Sequence, residues 1–282
     1  MDLTNINHIK ALLLRHGFRF SKSMGQNFLC APWVVEDMIY GAKLDETVGV
    51  LEIGPGIGAL TKELAQSAGQ VVSVELDRSL LPILKETLAD YDNATVVSAD
   101  ILKTDLEALV AEHFAGLKPV VCANLPYNIT SPVVTKLIDS GLFSEITVMV
   151  QREVARRMCA APATADFSAF SLYIDYYCQA EILFDIPPEC FIPAPKVHSS
   201  IVRLCKRDEP KVDVDEKTLF QLIKIAFAQR RKTLVNNIMS SNLQVEKEQV
   251  LEALEQMGLD AKIRGEALGL EQFAKLVKAF EK

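Results

Sequence analysis

Residues 47–76 read TVGVLEIGPGIGALTKELAQSAGQVVSVEL, and the order of segments within them decides the fold. A β-branched run gives way to a turn holding Gly54, Gly56 and Gly58, then to the amphipathic stretch GALTKELAQSA, then to a second Val-rich run. Strand, turn, helix and strand in that order form a βαβ unit, because parallel strands need a crossover of about a dozen residues or more. The rhythm continues through ATVVSAD (94–100), PVVCAN (119–124) and EITVMVQ (145–151), separated by RSLLPILKETLADY, TDLEALVAEHF and SPVVTKLIDSG. Strands so continuously apolar are covered on both faces, which predicts an α/β sheet of Rossmann-like type. Ligands of such sheets bind beyond the carboxyl ends of the strands.

Past residue 168 the pattern changes. FSLYIDYYCQAEILF (170–184) and HSSIVRLCKR (198–207) read as two successive strands, an antiparallel hairpin at one sheet edge. The proline-dense DIPPECFIPAPKV between them cannot be helical. From 210 onward the spacing of DEKTLFQLIKIAFAQRRKTLVNNIM, EKEQVLEALEQMG and GLEQFAKLVKAFEK is helical. The expected division is therefore 1–209, with a basic N-terminal arm at 1–29, and a small helical domain at 210–282.

Composition narrows the function classes. With 282 residues, 49% of them hydrophobic, the chain can bury a large core, and no window reaches 18 uninterrupted apolar residues, which argues against a membrane span. Cysteines at 30, 122, 159, 178, 190 and 205 form no C-x-x-C pair and there are four histidines, which disfavours a zinc site or disulfide framework and fits a reducing cytoplasm. The net charge of −7 is unevenly spread: residues 1–29 carry four basic and one acidic side chain, residues 30–150 seven and seventeen. Arm residues, the QREVARR stretch (151–157), Arg203, Lys206, Arg207 and QRRK (229–232) are candidates for a basic rim facing a polyanion.

The strand ends carry the candidate chemistry. The glycine turn lets backbone approach a ligand, but a dinucleotide site would show much the same feature. Glu75 closes the second strand where a carboxylate can hold ribose hydroxyls, Asp100 closes the third where one can accept from an adenine amine, and Asn124 closes the fourth. Each acid alone reads equally well as a helix cap. As an ordered set without a cation for a pyrophosphate, they suit a positively charged nucleoside better than NAD. In NLPY (124–127), the Asn124 oxygen and a backbone carbonyl of Leu125 or Pro126 can accept from an exocyclic amine, and Tyr127 can stack on an unstacked base. A proline-ended strand with a core tyrosine is the plainer alternative.

Taken together, SMGQNFL (23–29), EIGPGIGALT (52–61), VELD (74–77), SADIL (98–102), NLPYNI (124–129), FIPAPKVHSS (191–200) and AFAQRRKTL (226–234) resemble the ribosomal RNA adenine dimethyltransferases that use S-adenosylmethionine. The resemblance implies a seven-stranded methyltransferase sheet with a helical C-terminal domain that contacts RNA. It implies cofactor contacts from Gln26, Asn27, Leu29, Gly54, Gly56, Glu75, Leu76, Asp100, Ile101 and Asn124. It assigns target-base roles to Asn124, Leu125, Pro126, Tyr127 and Phe191, with the Phe191 ring on the second face of the adenine; a core plug is that ring's alternative. The substrate it implies is two adjacent adenines in the 3′-terminal hairpin loop of 16S rRNA, within a partly assembled 30S subunit, methylated by a cytoplasmic monomer. A large-subunit dimethylase of the resistance type and a non-catalytic assembly factor on the same scaffold are the competing readings. One departure stands out: Phe167 and Ser168 replace the family's usual Tyr-Gly pair.

Overall fold

The Val-rich runs pair into one sheet in the computed structural model, which describes residues 1–20 and 25–280. The arm contributes α1 (Ile6–Arg15) and β1 (Phe28–Leu29), and α2 (Pro32–Ala42) follows it. The alternating segment follows as β2 (Val48–Ile53), α3 (Ala59–Ser67), β3 (Gln70–Glu75), α4 (Leu81–Thr87), β4 (Ala94–Ser98), α5 (Leu106–His113), β5 (Lys118–Asn124), α6 (Thr130–Asp139) and β6 (Glu145–Gln151). Next come α7 (Arg152–Met158), α8 (Ala169–Tyr177), β7 (Cys178–Ile186), β8 (Phe191–Ile192) and β9 (Ser199–Lys206). The chain ends in α9 (Glu216–Ala226), α10 (Leu234–Met239), α11 (Lys247–Gln256) and α12 (Leu270–Phe280).

The seven-stranded sheet has the order β4-β3-β2-β5-β6-β9-β7. β2 pairs in parallel with both β3 and β5, so the chain steps outward from β2 to β4 and then crosses back to β5. That reversal opens a crevice at the carboxyl ends of β2 and β5, where doubly wound sheets bind ligands. β9 runs antiparallel to β6, with Met149 opposite Ile201. Every residue of β2 is buried, as expected for a strand covered on both faces.

Two compact units form: Met1–Ala155 with Glu181–Lys206, and Arg156–Ala180 with Arg207–Lys282. Residues 156–180 thus associate with the helical unit, ahead of the 209/210 division expected from sequence. The reason lies in α8. Ser168 and Ser171 cap it reciprocally, and the aromatics Phe170, Tyr173 and Tyr177 recur at helical spacing, with ring centroids 6.2 and 5.1 Å apart along the stripe. The first half of the expected hairpin is therefore helix, and only Cys178–Ile186 extends into the sheet. Phe167, at the departure from the family pattern, is buried with Leu172, Leu219 and Phe273 in the core of the helical unit. Its neighbour Ser168 supplies the cap, so the altered pair has a full structural use.

The arm is more integrated than a basic tail. Ile9, Leu12 and Leu13 of α1 share an apolar cluster with Leu80, Ile83 and Leu84. QRRK, expected on a helix, falls in the turn between α9 and α10, which buried Asn237 closes by donating to the Ala226 carbonyl at 2.9 Å and the Gln229 carbonyl at 3.3 Å.

Candidate active site

The glycine turn at the end of β2 is wedged between two loops. Gly54 (φ 70°) and Gly56 (φ 61°) both take the left-handed conformation that side chains resist. A Cβ on Gly54 would lie 3.6 Å from Pro126, and one on Gly56 would lie 3.1 Å from the Phe28 ring. At these two positions the turn offers bare backbone to the crevice, which Pro55 and Ile57 of the same turn also line.

Glu75 ends β3 at the same crevice. It accepts from the Asp77 N–H at 2.7 Å and lies 3.4 Å from the Gly56 N–H, while its burial pushes the carboxyl above the usual carboxylate range. Asp100 follows β4; one oxygen accepts from the Leu102 N–H at 3.0 Å and the other lies 3.6 Å from the Lys103 ammonium. Leu76 (54% exposed) and buried Ile101 add apolar surface between the two acids.

Asn124 ends β5, and its Nδ2 donates to the Asn27 carbonyl at 3.5 Å. That orientation leaves its Oδ1 as an acceptor for a ligand. Leu125 is anchored through its N–H to the Met149 carbonyl at 3.1 Å. The Pro126 carbonyl already accepts from the Ile129 N–H and the Thr130 hydroxyl, each at 3.2 Å. Of the two carbonyls left open by the sequence, Leu125 is thus the one with capacity to spare. Tyr127 is half-buried, and its hydroxyl lies 2.7 Å from Ser199 Oγ; burial raises the phenol against the opposing effect of that bond.

The arm crosses the crevice. Gln26 donates to Asp77 at 2.6 Å, Asn27 donates to the Gly25 carbonyl at 3.1 Å, and Leu29 pairs with Phe191 across β1 and β8. Ser23 and Met24 of the quoted motif lie outside the described residues. Gln26, Asn27, Leu29, Gly54, Gly56, Glu75, Leu76, Asp100, Ile101, Asn124, Leu125, Pro126 and Tyr127 all line one cleft.

Phe191 departs from expectation. It is 3% exposed, packed in the apolar cluster with Leu29, Val35 and Ile201, and is not among the described residues lining the cleft. Its ring is buried in that cluster, so in this arrangement it offers no face to a base. The core-plug alternative describes what is seen.

Glu52 is a charged cleft residue that sequence reasoning missed. It is 1% exposed, and Thr61 and Ser73 each donate to its Oε2 at 2.6 Å, yet burial pushes its carboxyl up to about 7. An acid inside the otherwise apolar VLEI was the available signal. Glu52, Glu75 and Asp100 line the cleft together with no Lys, Arg or His among the described lining residues. The acceptors at this rim, with Asp100 the least buried of the three acids, fit a cationic nucleoside, and the absence of a cation among the described lining residues gives a pyrophosphate no counter-charge.

The expected basic rim shrinks. Arg203 is bound to Glu181 and to the Gly41 carbonyl, Lys206 donates to the Gly141 carbonyl at 2.6 Å, and Arg207 pairs with Asp175 at 3.3 Å. These cations serve the fold of their own units. In the α9–α10 turn, Arg231 and Lys232 are exposed.

Comparison with known proteins identifies the family. The family described as ribosomal RNA adenine dimethylase matches residues 17–282. "Ribosomal RNA small subunit methyltransferase A" of Alkaliphilus metalliredigens is 47% identical over 271 residues, 95% of this chain and 94% of that protein. The protein of the same name from Streptococcus sanguinis is 46% identical over 286 residues, covering 100% of this chain and 99% of its own length. Among solved structures, a dimethyladenosine transferase from Plasmodium falciparum superposes with a TM-score of 0.75 at 27% identity, covering 90% of this chain and 97% of that one. The 23S rRNA methyltransferase ErmE superposes with a TM-score of 0.71 at 26% identity, covering 91% and 100%.

Proposed function

Because the chain belongs to the ribosomal RNA adenine dimethylase family, we propose that it transfers two methyl groups from S-adenosylmethionine to N6 of adenines in small-subunit (16S) rRNA. The near full-length identity to small-subunit methyltransferases supports that substrate over large-subunit RNA. When bound, S-adenosylmethionine supplies an electrophilic methyl group on a sulfonium.

The residues divide the work by position. Glu75 holds the ribose, Asp100 accepts from the cofactor's adenine amine, and Leu76 and Ile101 flank that base. The turn at Gly54 and Gly56 gives the amino-acid portion room beside bare backbone. Gln26, Asn27 and Leu29 bind from the arm.

An exocyclic amine is a poor nucleophile because its lone pair is delocalised into the purine. Asn124 Oδ1 and the Leu125 carbonyl accept from its two hydrogens and favour the tetrahedral nitrogen that attacks, while Pro126 fixes the loop. Tyr127 stacks on the flipped base. After the first transfer one hydrogen remains, and Asn124, a neutral acceptor, can lose a partner without leaving a buried charge. The proton leaves to solvent. Catalysis comes mainly from positioning and from polar stabilisation of the developing positive charge.

The observation that carries this reading is the Asn124 amide, whose NH2 faces the Asn27 carbonyl and whose oxygen is left for substrate. The substrate is a partly assembled 30S subunit, the enzyme acts as a cytoplasmic monomer, and the helical unit contacts RNA through the exposed Arg231 and Lys232. Asn124→Ala tests the assignment: transfer is expected to fall by about 100-fold or more, with cofactor affinity in calorimetry largely kept. Equal loss of both would remove Asn124 from the acceptor role.

A further inference from the structure

The hydrogen bond between Tyr127 and Ser199 joins two segments 72 residues apart and serves no strand pairing or helix cap. Tyr127 stands on the loop after β5, whereas Ser199 opens β9. Ser199 is fully buried, and its backbone is held by antiparallel register opposite Gln151. The preceding residue is fixed as well, since the His198 carbonyl accepts from the Arg152 N–H at 3.0 Å. The hydroxyl that meets the phenol is therefore mounted on the sheet, while the ring it meets is on a loop.

We propose that Ser199 is a positioning residue for base recognition: its hydroxyl holds the Tyr127 phenol from the sheet side, so that the ring face is set at the cleft before RNA arrives. The inference rests on the stacking role given to Tyr127 above. A tyrosine turning freely on a loop must be immobilised when the base arrives, and ordering such a side chain costs affinity; a ring already tethered at its far end does not incur that cost. The tether also fixes which end of the ring points inward. Polar satisfaction of a half-buried phenol is the plainer role for such a bond, and it makes a different prediction, because a merely satisfied phenol need not be coupled to RNA.

The experiment uses the full chain with unmethylated small subunits and S-adenosylmethionine, and measures kcat, KM for the subunits and cofactor affinity by calorimetry. Ser199→Ala and Tyr127→Phe remove the same bond from opposite sides, and the second variant leaves β9 untouched should the first fold poorly. Each is expected to lower kcat/KM about fivefold, the ratio carried by an ordinary net hydrogen bond, mainly through KM, with cofactor affinity unchanged. The double variant is expected to lose no more than either single one. Ser200→Ala removes the neighbouring hydroxyl, which bonds Asp185 at 2.5 Å, and is expected to keep the unmodified KM. An unchanged kcat/KM in Ser199→Ala, or losses that multiply in the double variant, would overturn the proposal. Tyr127→Ala separates the two levels. If it cripples transfer while Ser199→Ala does not, only the tether fails; if it too leaves kcat/KM unchanged, the stacking assignment fails with it.

Discussion

Replacing Glu52 with glutamine should remove a pH dependence of stability that this one side chain imposes. Burial is the dominant cause of its shift from the usual 4.5 up to about 7; the Ser73 and Thr61 hydroxyls oppose it, and the neighbouring charge of Glu75 adds to it. The fold therefore favours the protonated carboxyl. Between those two values the folded chain keeps a proton that the unfolded chain has released, so stability is greatest below pH 4.5 and declines as pH rises through 7. At 1.36 kcal/mol per pH unit, a shift from 4.5 to about 7 amounts to about 3 kcal/mol, most of it lost between pH 5 and pH 8. Glutamine keeps the shape and an oxygen for the two hydroxyls but has no proton to lose. Urea unfolding of the ligand-free protein and of Glu52→Gln across this range gives the test, because titrations common to both cancel in their difference. The variant should gain on the unmodified protein by about 3 kcal/mol from acid to pH 8.5. A difference that stays constant with pH would mean that Glu52 ionises like an exposed acid and that the burial argument is wrong.

Gly56→Ala places a Cβ 3.1 Å from the Phe28 ring at a φ of 61°, and should cost about 1–2 kcal/mol in denaturant unfolding together with weaker cofactor binding. Unchanged stability would argue against the left-handed turn. Phe191→Ala should cost about 3–5 kcal/mol, as expected for emptying a buried aromatic site. Full stability combined with lost transfer would return that ring to the target base.

Much of the fold was legible because strand and helix periods alternate cleanly from Val48 to Gln151, and because a covered parallel sheet leaves few alternatives for strands so rich in valine. The strand-end residues could be placed for the same reason: topology alone brings Gly54, Glu75, Asp100 and Asn124 to one rim. The failures share a cause. Phe170, Tyr173 and Tyr177 are β-prone residues at helical spacing, and the serine pair that caps them decided the matter locally. Phe191 was assigned from its motif, whereas its burial depends on the pairing of β8 with β1, more than 160 residues away in the chain. Arg203, Lys206 and Arg207 looked like free cations because their partners Glu181, Gly141 and Asp175 are invisible to local reading. Glu52 and Ser199 escaped notice because only the assembled sheet gives each its partner.

The central claim is tested most directly by mass spectrometry of RNA after the protein and S-adenosylmethionine are incubated with unmethylated small subunits and, separately, with large-subunit RNA. Two methyl groups on each of two adjacent adenines of the small-subunit RNA alone is the predicted result. Transfer only to large-subunit RNA, or no transfer to either despite demonstrated cofactor binding, would contradict it.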